Sequence, residues 1–247
     1  MNPVGREVEL PAPPGYGRVV ALDPRLHAGL GVDAGRIRRF GRDQQLLPLT
    51  SSEFFQAALH YPIALLQPAG QALVPVAVLG MRAGRNLFVD DDGRWEPGRY
   101  LPAVVRRYPF CVVRVGAGAA AGQRLIGVDR DALVASASPL FDATGAPTPF
   151  WQQQQELIDR FEGALEASTR FCQRLEASAL LEPFDVHIRR DDGRKFSITG
   201  LQRVSEERLM ALDAATAGAW LADGTLARIH AHLISLNHFP RFAERCV

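Results

Sequence analysis

A chain of 247 residues with 47% hydrophobic and 22% charged side chains is long enough to bury a sizeable core. Its 28 basic and 27 acidic residues leave a net charge of +1, which excludes the strong positive field that recruits nucleic acid or an anionic membrane. Three cysteines, Cys111, Cys172 and Cys246, are far apart and odd in number, which argues for free thiols in a reducing compartment and against a disulfide framework. The N-terminus lacks the basic start and apolar core of a secretory signal, and no apolar run reaches the roughly 18 residues of a membrane span. The expected location is cytoplasmic. Lys195 is the only lysine, against 27 arginines. Codon usage in a GC-rich genome accounts for that imbalance, while the guanidinium fork adds some bias toward gripping carboxylates and phosphates.

Residues 1–16 hold four prolines and little periodicity, and are expected to form an extended arm. Arg18 to Leu22 reads as a short strand stopped by Asp23-Pro24. The Gly-interrupted stretch from Leu26 to Phe40 carries no decisive pattern. Thr50-Ser51-Ser52-Glu53 fits a capping box, with Glu53 reaching back to the first free amide, and Leu49 and Phe54 stand at the positions of a hydrophobic staple. A helix from Ser51 to His60 follows and ends before Pro62. Pro62 to Leu66 and Leu73 to Leu79 read as a hairpin, with Pro75 demanding an edge or bulge because it cannot donate to a ladder. Arg85 to Asp90 reads as a third strand, Asp91-Asp92-Gly93 as a turn, and Pro102 as the start of a short helix through Arg107. Phe110 to Val115 is a near-continuous apolar strand, expected to be buried on both faces. The Gly116–Gly122 connector and a strand from Arg124 to Asp129 come next.

From Thr148 the pattern becomes helical: Thr148 caps, Pro149 occupies the first turn, and Phe150, Leu157, Phe161, Leu165 and Leu175 recur at helical spacing to about Ala177. Phe184–Ile188 and Lys195–Leu201 read as a second hairpin around Asp191-Asp192-Gly193. Ser205 onward is helical to Phe239, with breaks near Asp213 and at Asp223-Gly224. DDGR occurs at 91–94 and 191–194 with unlike flanks, so two tight turns explain it without an internal repeat. The expected fold class is α+β: an antiparallel, meander-like β region followed by a mainly helical region with one β-hairpin. One domain over 17–247 is expected, with a β-rich lobe at 17–135 and a helix-rich lobe at 148–247.

No motif for a known chemistry is present. His230 and His232, two residues apart on a helix, point about 200° apart and make a poor chelating pair. His27, His60, His187 and His230 could meet only through the fold, so no metal site is assigned. There is no G-x-S-x-G elbow, and Cys111 lies in an apolar strand where a thiol is inert. Gly116-Ala117-Gly118 follows a strand but precedes another strand, so it lacks the helix N-terminus that holds a pyrophosphate. What remains is an unusual density of arginine and aromatic side chains over residues 86–115. Arg106, Arg107 and Tyr108, with Arg85, Asp90 and Trp95, are the ligand-binding candidates: an arginine would hold an acidic group while an aromatic ring packs on it. The structural alternative is an Arg–Asp bridge from Asp90 or Asp91 to Arg106 or Arg107, because a buried arginine needs a partner.

The succession VALDPRLHAGL (20–30), EFFQAALHYPIAL (53–65), PVAVLGMRAGRNLFVDDDGRWEPGRYLPAVVRRYPF (75–110), SPLFDATGAP (138–147), TRFCQRL (169–175) and AHLISLNHF (231–239) closely resembles the SapC family of bacterial proteins. That family takes its name from a protein associated with a paracrystalline surface layer. The resemblance brings no catalytic residues and no cofactor. It implies a soluble binding or accessory protein beside surface-layer or outer-membrane systems, with a protein partner or a small acidic ligand. The alternative class is an enzyme, metal-dependent if the histidines converge.

Overall fold

A computed structural model describes residues 6–115, 122–190 and 192–245. The first five residues, most of the Gly116–Gly122 connector, Asp191 of the second DDG turn, and Cys246 lie outside the described residues. The strands are β1 (Val19–Ala21), β2 (Leu30–Val32), β3 (Leu46–Pro48), β4 (Ile63–Leu66), β5 (Val74–Val78), β6 (Phe110–Val115), β7 (Gln123–Asp129), β8 (Leu133–Ala135), β9 (Leu181–Arg189) and β10 (Lys195–Val204). The helices are α1 (Ala34–Arg39), α2 (Phe54–Ala57), α3 (Ala103–Arg106), α4 (Pro149–Ala177), α5 (Glu206–Met210), α6 (Ala214–Ala222), α7 (Thr225–Ser235) and α8 (Phe242–Arg245). All strand pairs are antiparallel, and the fold is α+β. The chain forms two compact units, each assembled from two separated stretches: Met1–Phe40 with Val105–Glu162, and Gly41–Val104 with Gly163–Val247.

In the first unit the sheet order is β1-β7-β6, and β2 pairs separately with β8. β6 shows why its sequence is apolar almost throughout. Side chains alternate across a strand, so Phe110 and Val112 face one cluster with Val20, Val128, Leu140, Trp151 and Ile158. Cys111, Val113 and Val115 face another, with Leu10 and Val19. Both faces are therefore covered, as the run of apolar residues predicts. Each fully buried Phe or Leu here contributes about 2–3 kcal/mol. Gly127 of β7 permits the close sheet approach, since a Cβ there would stand 2.7 Å from Val19 Cγ1 and 3.0 Å from Cys111 Sγ. The described residues before β1 run beside it, with Leu10 N–H donating to Val19 O at 2.9 Å.

In the second unit five strands take the order β3-β5-β4-β10-β9. The late hairpin β9–β10 joins the early hairpin β4–β5 through Leu201↔Leu66 and Gln202↔Leu65. Pro75 sits in a central strand, at the level where β3 ends: Leu49 N–H donates to Pro75 O at 2.9 Å, and the ladder needs no donor from Pro75 beyond that point. α7 stitches this sheet with two side chains. His232 donates from Nδ1 to Ile63 O at 2.8 Å and accepts Val204 N–H on Nε2 at 3.1 Å, while Ser235 Oγ accepts Ile63 N–H at 2.8 Å.

The capping box at Thr50 forms, and Glu53 does more than cap. Its Oε2 accepts the backbone N–H (2.8 Å) and hydroxyl (2.9 Å) of Thr50, and its Oε1 accepts the Tyr100 hydroxyl (2.9 Å) and the Ala103 N–H (2.7 Å) at the start of α3. The helix after the box is a 3₁₀ turn over Ser51–Glu53 leading into the short α2. α4 runs from the expected Pro149 through Gly163 without a break. It ends in a Schellman motif, in which Leu180 N–H donates to Leu175 O and Ala179 N–H to Glu176 O.

One expected element is absent. Arg85 to Asp90 is not a strand, because Asn86 Oδ1 takes the Phe88 N–H (2.9 Å) that a ladder would need, leaving only the isolated bridge Val89↔Trp95. The undecided stretch Leu26–Phe40 holds β2 and α1, the latter capped by Asp33, whose carboxylate accepts Gly35 N–H at 2.7 Å.

A cleft around Tyr108 and the candidate residues

The six ligand-binding candidates divide between the two units. Arg85, Asp90 and Trp95 belong to the second. Arg85 and Asp90 are exposed, and Asp90 Oδ1 accepts the Arg94 N–H at 2.8 Å across the DDG turn. Trp95 is half-buried, with its indole N–H buried and unpaired. Asp91, the other carboxylate considered for a structural bridge, faces Arg42 at 3.7 Å.

Arg106, Arg107 and Tyr108 belong to the first unit and diverge from one another. Arg106 is exposed at the end of α3. Arg107 is 8% exposed, with its guanidinium 4.3 Å from the Phe161 ring centroid and its Nε without a hydrogen-bond partner. Stacking on an aromatic face offsets part of the cost of burying that charge. Arg107 thus serves the packing of its own unit.

Tyr108 takes a different path. Its ring stacks on Phe40 at 4.0 Å between centroids, Tyr16 packs edge-on to both rings, and its hydroxyl donates to Asp129 Oδ2 at 2.9 Å. The Tyr108–Pro109 peptide bond is cis. Asp129 is buried and also accepts Gly17 N–H on Oδ2 (2.9 Å) and Asp131 N–H on Oδ1 (3.2 Å). Burial pushes the Tyr108 hydroxyl far above the ordinary phenol range, the bond to Asp129 adds to this, and the neighbouring Arg36 opposes it. The phenol therefore stays protonated and commits its hydrogen to Asp129, while its oxygen receives Arg36 and keeps one further lone pair as an acceptor.

These groups line a cleft of about 260 Å³ together with Gly15, Gly17, Arg36, Arg39 and Phe40. Arg36 and Arg39 stand three apart on α1 and so share a face. Arg36 also lies 3.8 Å from the exposed carboxylate of Asp131. Arg39 has no ion-pair partner among the described residues. With Arg36 shared between Asp131 and the cleft, Arg39 is the lining guanidinium that no carboxylate pairs among the described residues. Such a lining can grip a carboxylate with the arginine forks and accept a donor on Asp129 or Tyr108.

Of the cleft residues only Tyr108 was a candidate from sequence. Arg36 and Arg39 come from a stretch without decisive periodicity, where the one available signal is Asp33 as cap before three arginines. Asp129 lies 21 residues from Tyr108, and no local rule links them.

The histidines are dispersed. His27 is fully buried, accepting Asp23 N–H on Nδ1 at 3.0 Å, and burial lowers its pKa. His60 is half-buried, its pKa lowered first by burial and then by Arg99. His187 and His230 are exposed. No group of three or more His, Cys, Asp or Glu among the described residues is placed to hold a metal ion. Burial raises the thiols of Cys111 to about 11 and Cys172 to about 12, which keeps both protonated and unreactive at neutral pH. No described helix is long and apolar enough to cross a membrane.

A family model described as SapC matches residues 22–242, nearly the whole chain. No curated protein and no solved structure matches it. The chain belongs to the SapC family.

Proposed function

We propose that this SapC-family chain is a binding protein that takes a small hydroxy- or amino-carboxylate in the Tyr108 cleft. In this reading Arg36 and Arg39 hold the ligand carboxylate, and Asp129 and the Tyr108 oxygen accept its hydroxyl or ammonium hydrogens. The Phe40–Tyr108 stack supplies a rigid apolar wall. The observation that carries the reading is the convergence of two arginines on a buried Tyr–Asp pair inside one cleft. The family name supports a setting beside surface-layer or outer-membrane systems, and the free buried thiols support a cytoplasmic one.

The test is titration calorimetry with acetate, lactate and alanine on the wild type and on Arg39→Ala and Tyr108→Phe. Saturable binding of lactate or alanine, tighter than acetate and weakened at least about tenfold by Arg39→Ala, supports the proposal. Absence of binding to all three, or equal binding by Arg39→Ala, overturns it.

A further inference from the structure

The second unit holds a larger cleft, of about 360 Å³, whose lining has a different chemistry. Arg170 and Arg174 stand one turn apart on α4, and Arg228 projects from the first turn of α7. Asp223, Thr225 and Ser51 complete its polar lining, with Phe171 as an apolar wall. Three guanidiniums face one carboxylate, an excess of two positive charges.

The geometry of each group is specific. Arg174 donates to Asp223 Oδ2 and to Thr225 Oγ1 (3.0 Å). The Thr225 hydroxyl and then Arg174 hold the Asp223 carboxyl down at about 2, so this acid stays charged and Arg174 stays positioned. Arg228 is held by Nη1 on Gly224 O (2.9 Å), while its Nε is buried without a partner. Arg170 is exposed, with no partner among the described residues. Gly224 at the start of α7 has no side chain to cap it, and Asp223 Oδ1 accepts the first-turn Thr225 N–H at 2.9 Å in its place.

We infer that this cleft binds a phosphate monoester, a dianion that matches the two uncompensated charges and suits the planar, two-point donation of arginine. Arg170 and Arg174 would grip the phosphoryl oxygens, and Arg228 would complete the third side. The chemistry is shared by a soluble phosphorylated metabolite and by a monoester lipid headgroup, and the experiment separates these sources. The site is independent of the Tyr108 cleft, so either can fail alone.

The experiment titrates the full chain with inorganic phosphate and glycerol 3-phosphate by calorimetry, and with phosphatidylcholine vesicles with and without phosphatidic acid by co-sedimentation. Saturable binding in either arm is expected, weakened about tenfold by Arg170→Ala and abolished by Arg170→Glu, with Arg39→Ala unchanged. Arg170 is exposed and unpaired, so its variants should melt as the wild type does, and Arg174→Lys serves as a second, charge-conserving variant that loses the fork. Binding in the soluble arm alone assigns a metabolite, and binding to phosphatidate vesicles alone assigns a lipid. No binding in both arms, or binding that Arg170→Glu leaves intact, overturns the inference.

Discussion

Two carboxylates are buried among the described residues, Glu53 in one unit and Asp129 in the other, and they are satisfied in different ways. Glu53 receives four hydrogen bonds, two on each oxygen, all from groups of its own unit. Asp129 receives two on Oδ2 and a single longer one on Oδ1, and it borders a cleft with two arginines. A saturated carboxylate has nothing left to offer a ligand, so Glu53 fixes the entry to α2 and the start of α3. A carboxylate with an open acceptor beside a cleft can hold structure and still meet a ligand. The contrast separates a device of folding from a candidate device of binding, although burial alone would rank the two together.

The most severe way to break this comparison is Glu53→Ala. It removes the buried acceptor of the Thr50 and Ala103 amides and of the Tyr100 hydroxyl, and a loss of about 3–5 kcal/mol in urea unfolding is expected. Acid comes next, through a different closed group in the same unit. The folded pKa of His232 is depressed from 6.5 to about 4, chiefly by burial. A group charged more readily when unfolded stabilises the fold above the unfolded value and loses that contribution as pH falls through the window from 6.5 to about 4. The corresponding loss is about 3 kcal/mol. Urea midpoints measured across that range should fall, and His232→Gln should be less stable at pH 7 and flatter in pH.

Asp129→Asn should cost less, about 1–2 kcal/mol, because the amide oxygen can still accept from Gly17 or Tyr108. The same variant should weaken an amino-carboxylate more than acetate, which a purely structural role for Asp129 would not produce. The smallest effect has the opposite sign. Ala179 occupies the left-handed position of the Schellman motif at φ 50°, where glycine carries no Cβ penalty. Ala179→Gly should therefore stabilise by up to about 1 kcal/mol in thermal unfolding, with no change in either cleft.

What could be read in the sequence follows the range of the interactions involved. The Thr50–Glu53 box, the Thr148–Pro149 helix start, the DDG turn at 91–93 and the apolar strand at 110–115 rest on neighbours a few residues apart, and all four are present. The misread strand at 85–90 shows the limit, since one side-chain oxygen on Asn86 was enough to divert the backbone. Pairing of β10 with β4 joins residues such as Leu201 and Leu66, far apart in the chain, and no turn rule anticipates it. The arginines divide similarly. The Arg106–Arg107 pair drew notice by adjacency, yet Arg107 packs on Phe161, and the cleft takes Arg36 and Arg39 from a stretch whose pattern said little. Tyr108 was legible as an aromatic beside charge, but its Asp129 partner was not.

The most direct test of the central claim is a crystal structure of the chain grown with alanine or lactate at saturating concentration. The account predicts the ligand carboxylate within hydrogen-bond distance of both Arg36 and Arg39, with its amino or hydroxyl group on Asp129 Oδ1 or the Tyr108 oxygen. A ligand bound elsewhere, or a Tyr108 cleft holding only water at that concentration, would contradict it.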